Sequence, residues 1–184
     1  MFGKASGSRL AFDTSVIYST NDAGTTEDGS YDLGTSGSRF KDLYLSGGVY
    51  LGGTGSANKL DDYEEGTWTP VIYQGIGSIG LTEQHGFYRK IGSLVYADFY
   101  LQFSAGTGSS VITLISGLPF NQPSGFYRGG GNSSYADVIS ETLQFYGSPG
   151  TDRFAVYHSG GTALSFSTSV AGKYIIGTFI YIAA

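Results

Sequence analysis

The sequence predicts an all-β protein in which a short, glycine-punctuated fibrous region precedes an antiparallel β-sandwich of jelly-roll type. Three observations carry this reading. Glycine contributes 30 of 184 residues and tyrosine 15, while Lys and Glu number five each and Met one, a composition poor in helix formers and rich in turn and strand formers. The segment Val95-Tyr96-Ala97-Asp98-Phe99-Tyr100-Leu101-Gln102-Phe103 is apolar at every odd position and carries Tyr, Asp, Tyr and Gln at the even ones, the period of a strand with one buried face. Beyond residue 63, nine such candidates are separated by turns with no helical periodicity between them.

Taken in order, residues 1–62 hold only short apolar snippets between Gly, Ser, Asn and Asp turns: Leu10-Ala11-Phe12, Val16-Ile17-Tyr18 and Leu43-Tyr44-Leu45. None of these closes a core alone. An internal echo, Ser6-Gly7-Ser8-Arg9-Leu10 against Ser36-Gly37-Ser38-Arg39-Phe40, fits a shaft in which neighbouring chains supply the missing contacts, with a disordered leader as the alternative. The composition shifts at residue 62/63, where a head spanning 63–184 is expected to begin. Its strands are expected at 68–73, 87–91, 95–103, 111–115, 135–139, 143–146, 154–157, 163–166 and 174–182. The last one is apolar on both faces, so it is either central to the sandwich or pressed against another subunit; Ile176, Phe179 and Ile180 are the candidate interface residues.

Several functions are disfavoured. Residues 1–65 hold ten acids and five bases and residues 66–184 five of each, which leaves no basic footprint for nucleic acid. Cysteine is absent, and the two histidines, His85 and His158, have no ligand spacing, so neither a metal site nor a cofactor is expected. The start lacks a secretory apolar core, and the longest apolar stretch, 174–184, is too short to span a bilayer, so no membrane insertion is expected.

The chemistry-bearing segments are few. Asp61-Asp62-Tyr63-Glu64-Glu65 offers paired carboxylates suited to a glycosidase or to calcium, although adjacent acids on a connector are more often simply solvated. Gly75 to Gly80 matches a dinucleotide-binding glycine pattern only superficially, since no helix pattern follows. The glycine-rich run from Phe120 to Ser134 and the Tyr157–Thr162 hairpin combine rings, amides, hydroxyls and a guanidinium, the groups that recognise sugars. Tyr127, Arg128, Asn132 and His158 are the candidate receptor contacts, and no catalytic residue is assigned. Trp68 is expected to plug the sandwich.

The run Asp32-Leu33-Gly34, Arg39-Phe40-Lys41-Asp42-Leu43-Tyr44-Leu45-Ser46-Gly47 resembles the shaft segment of tail-fibre proteins of tailed bacteriophages, especially those of marine hosts. Asn58-Lys59-Leu60-Asp61-Asp62-Tyr63-Glu64-Glu65-Gly66-Thr67-Trp68-Thr69-Pro70 resembles the junction before their head domain. Gly86-Phe87-Tyr88-Arg89-Lys90-Ile91-Gly92 and Ser116-Gly117-Leu118-Pro119-Phe120 are similar to a strand and a turn of those heads. The resemblance spans roughly residues 31–120. It implies a non-enzymatic, intertwined homotrimeric fibre located in the virion, attached through its N-terminal region to other tail or capsid proteins, whose head adheres to a host surface glycan or polymer. The alternatives are a purely structural virion fibre or capsid decoration protein, and a polysaccharide-degrading tailspike. Asp98, Asp137, Glu141 and Asp152 would matter to the last if two of them met in a groove.

Overall fold

The alternation over 95–103 becomes the spine of the structure, a computed structural model that describes residues 2–3, 9–76, 79–105, 111–126, 129–165 and 169–184. The chain divides into two compact units, Met1–Ser46 and Gly47–Ala184. Residues 47–62, which the composition leaves on the N-terminal side, fall in the second unit. All strand pairs are antiparallel, and the one helical element among the described residues is a single 3-10 turn, Ser56–Asn58.

In the first unit, β1 (Phe2–Gly3), β2 (Arg9–Phe12) and β3 (Ile17–Thr20) form a three-stranded sheet in that order. The snippet 43–45 forms no strand. Only Ala11 and Thr20 are buried among the described residues of this unit, whereas Tyr44 is 90 % exposed and Phe12, Ile17, Leu33, Phe40 and Leu43 are each more than half exposed. The unit has almost no interior.

The second unit contrasts with it. After a hairpin of β4 (Val49–Tyr50) and β5 (Lys59–Leu60), it comprises β6 (Tyr63–Trp68), β7 (Val71–Ile76), β8 (Gly80–Ile91), β9 (Leu94–Ala105), β10 (Val111–Ser116), β11 (Gly129–Ala136), β12 (Leu143–Ser148), β13 (Arg153–His158), β14 (Leu164–Ser165) and β15 (Tyr174–Ile182). These ten make one sheet, in the order β6-β8-β9-β15-β11-β12-β13-β10-β7, with β14 paired to β10 and Ala163, just before it, bridged to Tyr157. The end strands β6 and β7 are consecutive in the chain, joined by Thr69 and Pro70. The sheet therefore curls until its two ends share a core, and the two layers of the expected sandwich are the two sides of that one curl. Rings confirm the closure: Phe99 on β9 lies 5.4 Å from both Phe145 on β12 and Phe154 on β13, although β15 and β11 intervene along the sheet.

Several elements differ from the expected ones for identifiable reasons. The segment 68–73 is two strands, broken by Pro70, which cannot donate to a ladder. The turn Gly92-Ser93 between β8 and β9 places glycine, at φ +57°, at the first central position, the chemistry of a two-residue hairpin. The strand expected at 135–139 lies at 129–136 instead. A Cβ on Gly129 would meet Phe179 Cζ at 2.5 Å and Tyr181 Cβ at 2.7 Å, so the glycines leave room for rings from β15. Trp68 is buried, donates its indole N–H to the Asp98 carbonyl at 3.0 Å, and lies where a side chain on Gly86 would stand.

Candidate functional site on the outer face of the sheet

Each candidate residue has a definite location except Tyr127 and Arg128, which lie outside the described residues. Asn132 is not on a loop: it sits on β11 with its side chain on the outer face, and its Nδ2 donates to the Ser133 carbonyl at 3.1 Å. His158 ends β13, with Nδ1 3.7 Å from a Glu141 carboxylate oxygen that also accepts from Ser159 Oγ at 3.0 Å. Strand β12 separates Asn132 from His158, so the two do not converge. Of the interface candidates, Ile176 and Ile180 are 36 % and 43 % exposed on the outer face of β15. Phe179 is corrected: it is wholly buried in the chain's own core, stacked on Phe154 at 4.9 Å, and has no surface to offer a neighbour.

The carboxylates of 61–65 are consumed by pairing. Lys59 holds Asp61 at 2.8 Å and, through that hydrogen bond, keeps its carboxyl below the usual range. Asp62 pairs with the nearly buried Lys90, whose ammonium also sits 5.3 Å from the centre of the Phe120 ring. Glu64 accepts from the Tyr88 hydroxyl and Glu65 from that of Tyr63 at 3.0 Å; these hydrogen bonds raise both phenols above their ordinary value. The cluster fastens β6 and its leading segment to β8. Among Asp98, Asp137, Glu141 and Asp152, two do share a groove: Asp137 and Glu141 line a polar depression of about 390 Å³. Asp137 there accepts the Tyr174 N–H at 2.7 Å, while Asp98 accepts the Phe87 N–H at 3.2 Å and Asp152 the Gly117 N–H at 3.1 Å.

Strand register assembles something no single segment contains. Phe87, Asp98, Thr178, Asn132, Gln144 and Tyr157 face one another in a row across β8, β9, β15, β11, β12 and β13. Tyr100, Tyr174 and Tyr135 flank the row on one side as a stack with centroids 5.5 and 5.2 Å apart, and burial, with Tyr135 and Asp137 adding to it, raises the Tyr174 phenol. On the other side run Tyr96, Ile180 and Tyr146. Tyr146 donates its hydroxyl to Gln144 Oε1 at 2.9 Å and meets Tyr157 edge-on at 5.7 Å. These two rings, with Ala155 on β13, Leu114 on the adjoining β10, and Ser148 and Gly161 beside them, line a depression of about 490 Å³. The even positions of 95–103 carried the signal for this face, but only the register shows what they stand next to.

Among the described residues, no group of three or more His, Asp or Glu side chains could hold a metal ion, and no helix is long and apolar enough to cross a membrane. No protein-family model matches the chain, and no curated protein matches it.

Proposed function

We propose that the protein is a non-enzymatic virion fibre, a tail-fibre type receptor-binding protein that works as a homotrimer, with its N-terminal region attached to other virion proteins and its head adhering to the host cell surface. The observation that carries the reading is the disparity between the units. Ten large apolar side chains from Leu10 to Leu45 are more than a third exposed in a unit with two buried residues among those described, while the head buries a continuous core. A surface so apolar is stable in water only when something covers it, and further copies of the same shaft are the simplest cover. The resemblance of residues 31–120 to phage fibres supports the same reading.

Light scattering at micromolar concentration is expected to give about three times the 19.4 kDa chain mass. Fluorescently labelled protein is expected to coat at least one strain in a panel of marine bacteria. A stable monomer, or a trimer that coats none of them, counts against the proposal. The Asp137 and Glu141 depression favours a second reading, polysaccharide degradation. Release of reducing ends from surface polysaccharide that disappears in Glu141→Gln would establish it in place of the first.

A further inference from the structure

We propose that the depression between Tyr146 and Tyr157 binds an uncharged sugar ring, the terminal unit of a surface glycan. The inference takes its biological setting from the adhesive reading above, whereas the chemistry of the pocket stands by itself. Two rings at 71° to each other give a wall and an edge, and Tyr146 is 46 % exposed. Leu114 and Ala155, brought beside Tyr146 by the pairing of β12, β13 and β10, supply an apolar floor. The volume of about 490 Å³ lies within the range of small-molecule sites.

The polar groups decide the ligand. The Ser148 and Tyr157 hydroxyls, which no described residue engages, line the depression, and the Gln144 amide on β12, whose Oε1 accepts from Tyr146, stands opposite Tyr157. A purely aliphatic ligand would leave these groups unpaired. Apart from the phenols, no ionisable side chain among the described residues lines the depression, so there an acidic sugar would surrender its hydration without meeting a counter-charge. A neutral sugar has what the pocket has: an apolar ring face and a rim of hydroxyls. From Gln144 the polar row continues through Asn132 and Thr178 to Asp98, one group per strand at the usual spacing of about 4.8 Å. That step is close to the length of one sugar residue, so a chain attached to the terminal unit would meet a hydrogen-bonding group at each unit.

The test is saturation-transfer NMR of the full chain with methyl glycosides of glucose, galactose, mannose and N-acetylglucosamine, with glucuronic and sialic acids alongside. At least one neutral glycoside should bind saturably with a dissociation constant of roughly a millimolar. Tyr146→Ala should weaken it about tenfold. Tyr96→Ala, a comparably exposed tyrosine on β9, three strands from Tyr146, should leave it within about twofold. No saturable neutral glycoside, tighter binding of the acids, or equal losses in the two variants would overturn the proposal. If neutral sugars bind through Tyr146 but the labelled protein coats no cells, the adhesive reading falls and the pocket stands. If Tyr146→Ala coats cells as wild type does, the pocket falls as the receptor contact and the adhesive reading stands.

Discussion

Gly177, in the middle of β15, has no left-handed backbone requirement, so any need for glycine there is a need for space. A Cβ at this position would lie 2.6 Å from Phe145 Cε2 and 2.8 and 2.9 Å from Phe99 Cζ and Cε1. Carbon atoms in contact sit about 3.5–4.0 Å apart, so three ring atoms would have to retreat by about an ångström. They have nowhere to go: both rings are at most 2 % exposed, and each abuts Phe154 at 5.3 to 5.4 Å. Overpacking of this kind costs about 1–3 kcal/mol, and disturbing the ring pairs adds about 0.5–1.5 kcal/mol. Gly177→Ala should therefore destabilise by about 2–4 kcal/mol, which lowers the melting temperature of a chain this long by roughly 5–15 °C. Gly130 is the control, because a Cβ there finds nothing closer than the Phe145 carbonyl oxygen at 3.8 Å. Gly130→Ala should be neutral or slightly stabilising, since glycine in a strand costs about 0.5–1 kcal/mol. Thermal unfolding by circular dichroism at one fixed protein concentration reads both. Adding Phe145→Leu to Gly177→Ala should recover part of the loss, because the smaller side chain vacates the contested space. A Gly177→Ala protein that melts with wild type, or one no worse than Gly130→Ala, would refute the packing argument.

Two further outcomes follow from the polar contacts of the same unit. Asp62→Asn leaves the Lys90 ammonium with the Phe120 ring but no carboxylate; because Asp62 is about half exposed, the loss should be only about 1 kcal/mol in a urea titration, and Asp62→Asn/Lys90→Met should restore it, since well-packed apolar replacements of ion pairs are tolerated. Burial holds the Tyr181 phenol, whose oxygen accepts the Phe120 N–H at 3.2 Å, above its ordinary value near 10. Unfolded chains therefore release that proton first as pH rises, so this contribution is whole below about pH 10 and declines above it, and Tyr181→Phe should flatten the decline in a pH series of melting temperatures.

How much of this was legible follows from what each signal depends on. The alternation of 95–103 survives in β9 because one face of that strand meets the core along most of its length. The first half of β8 was invisible: Glu83, Gln84 and His85 face solvent wholly or in part, and the buried position is Gly86, whose space belongs to Trp68. The glycines of 129–131 fall outside every expected strand because glycine is depleted in strands, yet they form a strand whose side-chain volume is supplied by β15. In the last strand, the two apolar faces were both correctly seen, but their meaning divides: Ile175, Phe179 and Tyr181 serve the chain's own core, and Ile176 and Ile180 remain outside. The sugar-recognition chemistry was sought in local runs, whereas Leu114, Tyr146, Ala155 and Tyr157 meet only through pairings of three strands. Period and composition report neighbours along the chain, and a site built across strands leaves no trace in either.

The division of labour between the aromatic types bears on how strongly such a face would bind. In the second unit Phe99, Phe103, Phe145, Phe154 and Phe179 are each at most 2 % exposed, whereas Tyr63, Tyr73, Tyr96, Tyr135 and Tyr146 are 40 to 59 % exposed; Phe87, Phe126 and Tyr181 run against this pattern. A ring with a hydroxyl tolerates water at one end while keeping an apolar face, so outward tyrosines suit the proposed contact surface better than outward phenylalanines would. Each contact on that face exchanges water for a partner of similar quality and is worth only about 1 kcal/mol. One head should therefore hold a sugar weakly, and an assay with soluble monovalent ligand will see little beyond the millimolar range. In the proposed trimeric fibre, three heads, and several fibres on a particle, would turn the later binding events into intramolecular ones and raise avidity by roughly a hundredfold or more without a new contact. Cell coating is therefore expected to collapse when the assembly is dissociated, while each separated chain still binds the soluble glycoside.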